Sequence, residues 1–449
     1  MLGDRVMDLL MLSLVLVPLV LFFVAMLLEG KGAMLIITGT GCFFAVCSFV
    51  MSINESSAVF PVPSLFWKII SPVTVFFIFL LSLRDKQYII SVFTFIQAVI
   101  LVCFEIFISP EEPDIFLYSD LREKLLLVSG AVIVISFVPF IIYCLKKYSR
   151  NSSVVLKRFG MGFALLLSSF AGLISAKSMT GLFLFWQWQY LSGLLFLKAF
   201  EKDETKRYFP RAIPCIQQAA LTLFLIVSII AYRATGSLAM QDFAQGFGKV
   251  SEIAALVIIM SVVSMGLLIP ENYVPWFDYS KAVPIAGLYL IIFSLIVPYG
   301  VLLKFRPFFH VLYRGIITLM IFYGSLLVFS GACFALLHYR NRHSILSMIM
   351  SISGLAVATV FNDVHTSRDF LSGNPLPVLM VIAGMVLTIA YIIMWISSIF
   401  THTSQAPEIC DEHVISSIIP FRMNYRLIIR ISWITTTALA LGVSLLCLK

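Results

Sequence analysis

Apolar residues run through this chain in long stretches broken by short polar ones. Windows of about 20 apolar residues, the length at which a helix crosses a bilayer, fall at about 7–28, 33–52, 67–83, 88–108, 122–145, 157–176, 179–198, 212–232, 250–270, 282–303, 314–337, 344–361, 374–400 and 427–447. Strands of a membrane barrel would be half that length and would alternate in polarity, so the pattern predicts an all-α fold: a polytopic transmembrane helical bundle of about 14 spans. The first run has neither a basic head nor a small-residue cleavage site, and is read as a spanning helix, not a signal peptide.

Composition agrees. Of 449 residues, 60% are hydrophobic and 12% charged, and the mean hydropathy is +1.02. Those values exclude a soluble surface and exclude disorder. The net charge of +8 does not mark a nucleic-acid binder, because the basic residues sit in short loops between apolar runs. They report topology instead. One set of loops carries Lys146, Lys147, Arg150, Lys157, Arg158, Lys202, Lys206, Arg207, Arg211, Lys281, Arg340, Arg342, Arg422 and Arg426; the other carries Lys177, Arg233, Lys249, Lys304, Arg306 and Arg368. Fourteen against six puts the first set in the cytoplasm and both termini outside, with Glu111, Glu112 and Asp114 on the outer side. The longest loop, about 401–426, is too short to fold alone, so any chemistry lies within the bilayer or comes from partners.

Ionisable residues deep in a bilayer mark proton relays and ion paths, and this chain has few. Glu105, Glu252 and Arg430 lie near helix ends, where snorkelling to the interface explains them. None of the eight cysteines forms a Cys-x-x-Cys pair, which argues against a disulfide framework or a zinc site. No catalytic constellation, cofactor motif or metal-ligand spacing is readable, and Gly39-Thr40-Gly41 reads as helix packing. Two features stand out. Gln187 and Gln189 lie among aromatics in Phe185-Trp186-Gln187-Trp188-Gln189-Tyr190; a glutamine in lipid needs a partner on a neighbouring helix, so structural glue is favoured over ligand binding. Pro270, Pro275, Pro284 and Pro298 cluster around the ninth and tenth windows, where each removes a backbone donor and can kink or break a helix.

Three segments over about residues 120–450 resemble the antiporter-like subunits shared by respiratory complex I, membrane-bound hydrogenases and multisubunit sodium/proton antiporters. Phe185-Trp186-Gln187, then Leu191-Ser192 and Leu195-Phe196-Leu197, looks like the family's Phe-Trp-Glu helix. Pro270, Trp276, Pro284-Ile285-Ala286-Gly287-Leu288 and Tyr299-Gly300-Val301-Leu302-Leu303-Lys304-Phe305 is similar to its broken-helix region. His338, Arg340, Arg342, Ser351 and Gly354 follow the spacing of a later loop and helix. The resemblance implies an antiporter-like bundle with a broken helix at Pro270, Pro275 and Pro284. It also implies two N-terminal spans extra to the shared core, a division into residues 1–110 and 111–449, and an end short of the family's last helices. The expected setting is a bacterial-type inner membrane, with lipid and the other membrane subunits of an ion-translocating complex as partners and no cofactor.

In that family a glutamate, two lysines and a later His and Lys form a charge relay along the membrane midplane. The matching positions here are Gln187, Met265, Leu295, Gly384 and Thr388, all uncharged. Glutamine and methionine neither bind nor release a proton at accessible pH, so the resemblance implies a degenerate member that does not pump, with a structural or assembly role. The alternative is an active proton or sodium transporter using the remaining polar positions. An enzyme acting within the membrane has no constellation to support it.

Overall fold

The computed structural model describes residues 2–28, 30–53, 58–62, 64–107, 115–119, 121, 123–135, 153–200, 212–240, 242, 300–305, 314–337, 343–362 and 375–400. The windows at 250–270 and 427–447 and most of 282–303 lie outside them, as do Met265, Pro270, Pro275, Pro284, Leu295 and Pro298.

The protein is an all-α integral membrane protein. Its helices are α1 (Leu2–Leu27), α2 (Gly30–Ile53), α3 (Ser64–Arg84), α4 (Tyr88–Phe107), α5 (Ser153–Ser175), α6 (Met179–Phe200), α7 (Ala212–Thr235), α8 (Arg314–Leu337), α9 (His343–Asn362) and α10 (Pro375–Phe400). Residues 123–135 and 300–305 are also helical. Among the described residues, five stretches, Arg5–Leu27, Leu35–Ile53, Leu156–Ser175, Gln217–Thr235 and Gly315–Leu337, are long and apolar enough to cross a membrane.

Helices that are apolar all round cannot be oriented by amphipathicity, yet each has a defined inner face. On α1 the residues Met7, Met11, Leu14, Phe22 and Ala25 are buried while Val6, Leu9, Val20, Phe23 and Leu27 are exposed. The two stripes follow i, i+3/i+4 spacing on opposite sides, one against protein and one facing lipid. On α4 the buried stripe is Ile90, Thr94, Gln97, Leu101 and Phe104, and on α7 it includes Gln218, Thr222, Leu225 and Ser228. Helix α6 has no lipid face over 179–195, where every residue is buried. It packs against α5, α3 and α7, while α1 and α2 cover α5.

Polar side chains stitch this centre. Pro18 lacks the N–H that would bond one turn back in α1; beside that gap Ser168 Oγ of α5 donates to the Val15 carbonyl at 2.8 Å. Ser192 Oγ of α6 donates to the Gly162 carbonyl of α5 at 2.7 Å, and Trp188 Nε1 donates to Thr74 Oγ1 of α3 at 3.1 Å.

The pattern of long apolar windows did not predict two short strands, β1 (Ala58–Val62) and β2 (Ile115–Ser119), which pair antiparallel. Both are rich in β-branched and aromatic residues, but five residues between two spans give no separable signal. Pro61, with no N–H, is tolerated because β1 is an edge. Single bridges extend the ladder from Leu117 to Ala176 and from Ser178 to Ala239. Asp8 Oδ1 of α1 accepts from Val59 N at 2.9 Å, and Lys304 Nζ reaches the Ala176 carbonyl. The start of α1 and the connections at 58–62, 115–119, 176–178 and 237–240 therefore meet at one end of the bundle. The helix pairs α1–α2, α3–α4 and α6–α7 each leave that end and return to it.

Candidate functional site

Gln187 lies in α6 with no exposed surface, and so do Gln97 of α4 and Gln218 of α7. Their amides close a ring across three helices. Gln187 Nε2 donates to Gln97 Oε1 at 2.6 Å, Gln97 Nε2 donates to Gln218 Oε1 at 3.1 Å, and Gln218 Nε2 approaches Gln187 Oε1 at 3.4 Å. Gln97 Nε2 also faces Thr222 Oγ1 at 2.9 Å and the Gln218 main-chain carbonyl at 3.2 Å. A main-chain carbonyl only accepts, and the Thr222 hydroxyl already donates to the same carbonyl at 2.8 Å. Those two acceptors fix which end of the Gln97 amide faces α7. The Gln97 oxygen must then face Gln187, and the orientation of the other two amides follows. The ring has one direction, and every member is a neutral amide, hydroxyl or carbonyl.

Aromatics wall this region. Trp186 meets Phe224 edge-on at 5.6 Å, and Phe185 meets Trp188 edge-on at 5.3 Å. Gln189, turned roughly 200° around α6 from Gln187, is 7% exposed, and its Oε1 accepts no hydrogen bond among the described residues.

The positions matched to the family's later His and Lys lie where α8, α9 and α10 pack together. A Cβ on Gly384 of α10 would stand 2.6 Å from Val328 Cγ1 and 3.0 Å from the Val328 carbonyl of α8. Thr388 Oγ1 lies 3.2 Å from Ser351 Oγ, which donates to the Val328 carbonyl at 3.0 Å. Gly384 and Thr388 thus occupy a close helix contact; a histidine at 384 has no room at this separation. Ser351 and Gly354 lie on the same α8–α9 contact, while Met265, Leu295 and the broken-helix prolines are outside the described residues.

Ionisable groups gather instead at the bundle end that carries the strands. Glu123 and Lys124, at the start of helix 123–135, are 7% and 0% exposed. Lys177 Nζ donates to Glu123 Oε1 at 2.8 Å and stands 4.7 Å above the Tyr118 ring. Lys304 Nζ donates to the Leu173 carbonyl at 3.0 Å and to that of Ala176, placing a cation at the negative C-terminal end of α5. Ser178 caps α6, its Oγ accepting from Gly181 N at 3.1 Å. Among the described residues no three His, Cys, Asp or Glu side chains come together as metal ligands.

Sequence reasoning singled out Gln187 but missed Gln97, Gln218 and Thr222. The available signal was one glutamine on the Thr94/Gln97 side of α4 and another four residues before Thr222 in α7. It also treated Lys177 and Lys304 only as loop charges and passed over Glu123 and Lys124.

No family model matches the chain, and no curated protein matches it. Among solved structures it is similar to a chain of the membrane-bound sulfane sulfur reductase, an archaeal respiratory membrane complex. The likeness has a TM-score of 0.41 at 17% identity, and covers 73% of this chain and 70% of that one. So distant a likeness says nothing of activity or substrate.

Proposed function

We propose that this chain is an antiporter-like membrane subunit of a proton- or cation-translocating complex, that it does not itself pump, and that its role is structural or in assembly. The observation carrying this reading is the amide ring. At the position matched to the family's relay glutamate stands a glutamine whose every polar atom is committed to neutral partners on two other helices. A proton relay needs a group that ionises and water to reach it, whereas a closed ring of amides offers neither. Gly384 and Thr388, used in helix contacts, support the same reading. The partners are other membrane subunits, so purification in mild detergent, followed by mass spectrometry, is expected to recover this chain in fixed stoichiometry with proteins carrying the relay carboxylate and lysines. Recovery of the chain alone, as a monodisperse species, would argue against a subunit role.

A second reading, active proton or sodium transport, draws on the Glu123–Lys177 pair, a buried acid beside a base. That pair lies at one end of the bundle, beside the strands, not within the ring.

The proposed setting is a bacterial-type inner membrane with both termini external. The end bearing β1, β2 and Lys304 then faces outward, and 146–158 and 199–211 face the cytoplasm. Ser149→Cys is expected to resist an impermeant thiol reagent added to intact cells and to react after permeabilisation. Labelling from outside would reverse the orientation.

A further inference from the structure

The outer connections of a helical bundle ordinarily meet water. Here the turn between α5 and α6 does not: Ala176, Ser178, Met179 and Thr180 are 0–5% exposed. The cover is the β1–β2 strand pair with the start of helix 123–135. The strands pair over five residues each. They come from two different connections, β1 joining α2 to α3 and β2 following α4, and they meet the α5–α6 turn through few polar contacts. Leu117 forms a single bridge to Ala176, Val59 N donates to Asp8 at 2.9 Å, and Lys177 joins Glu123 at 2.8 Å with its ammonium over Tyr118 of β2.

We propose that β1–β2 is a strap over the outer end of the α5–α6 pair, with Glu123–Lys177 as its lock. Lys177 is the hub. It sits in the turn being covered, pairs with the carboxylate that follows β2, faces a ring on β2, and accepts Met240 N on its main-chain carbonyl at 2.9 Å. Glu123 has 9% and Lys177 23% of its side chain exposed, so the pair is poorly screened and strong while intact. Breaking it strands a charge beneath the strap, which draws water in and loosens the strand pair over the turn. Ser178 and Thr180, whose hydroxyls lie 3.2 Å apart at the α6 N-terminus, are the first polar groups that water then reaches. This inference is independent of the reading of the amide ring.

The test is labelling of Thr180→Cys in membranes with an impermeant maleimide, above the background of the native thiols. With the pair intact the cysteine is expected to be protected. Adding Glu123→Gln should raise its labelling rate by about ten-fold or more, the factor expected from losing one charge-assisted, partly buried partner. The swapped pair Glu123→Lys with Lys177→Glu should restore protection. Equal rates in all three, whether fast or slow, would overturn the proposal. Should Glu123→Gln fail to fold, Leu117→Cys with Ala176→Cys gives a second measure. The bridge places them face to face, so they should cross-link under mild oxidation, and failure to do so would equally refute the closed strap.

Discussion

Gln187→Leu is expected to be among the most destabilising single substitutions in the described part of the chain, at about 2–4 kcal/mol. Hydrogen bonds between membrane helices are worth only about 0.6 kcal/mol on average, so a simple count of lost bonds would give a small effect. The larger figure follows from what remains. Leucine leaves Gln97 Oε1 without its 2.6 Å donor and Gln218 Nε2 without its acceptor, both fully buried. Gln187→Glu separates polarity from charge. Gln97 Oε1 can only accept, so the new carboxyl fits the ring only while it keeps its proton; in that form it donates to Gln97 and accepts from Gln218. Thermal unfolding in detergent, followed by loss of the monodisperse species, should rank unmodified protein and Gln187→Glu close together and Gln187→Leu well below. Equal stability of Gln187→Leu and the unmodified chain would mean the ring holds nothing.

Gly354→Ala is expected to cost about 1–3 kcal/mol, although alanine is the better helix former by about 1 kcal/mol. A Cβ at 354 would stand 2.6 Å from the Gly324 carbonyl, Leu327 Cβ and Val328 N, and one at Gly324 would stand 2.7 Å from Ala358 N. The obstacles are largely backbone atoms of a regular helix, which no rotamer change can clear. α8 and α9 must therefore separate, and the Ser351–Val328 and Ser351–Thr388 contacts stretch with them. Gly39→Ala is the control: nothing lies within 4 Å of its built Cβ, so it should be neutral or slightly stabilising. Parallel unfolding measurements in one detergent would distinguish close packing from general helix propensity, since propensity alone predicts a gain at both sites.

How far the sequence carried differs between levels. The spans were legible because hydrocarbon thickness imposes a length on apolar runs: the window at 314–337 coincides with α8, and 374–400 lies within one residue of α10. The glutamine at 187 was legible as a group needing a partner. Its partners were not, because in helices apolar on every face no polarity contrast says which residues turn inward, and Gln97 and Gln218 are 121 residues apart in the chain. The end structure was illegible for a different reason. Lys177 and Lys304 count toward topology as loop charges, but whether such a lysine snorkels or closes an ion pair depends on what the next connections bring alongside. Here β2, the start of helix 123–135 and the end of α5 bring Tyr118, Glu123 and the Leu173 and Ala176 carbonyls.

The central claim, a subunit with a closed conduction route, is tested most directly by reconstituting the unmodified chain alone in liposomes loaded with a pH-sensitive dye, under an imposed proton or sodium gradient. The expected result is flux no faster than in protein-free liposomes, and no gain on Gln187→Glu, since the ring accepts only a protonated acid. Flux well above the protein-free rate, abolished by Gln187→Leu in a variant that still purifies as a folded species, would contradict the claim and make the chain an active transporter.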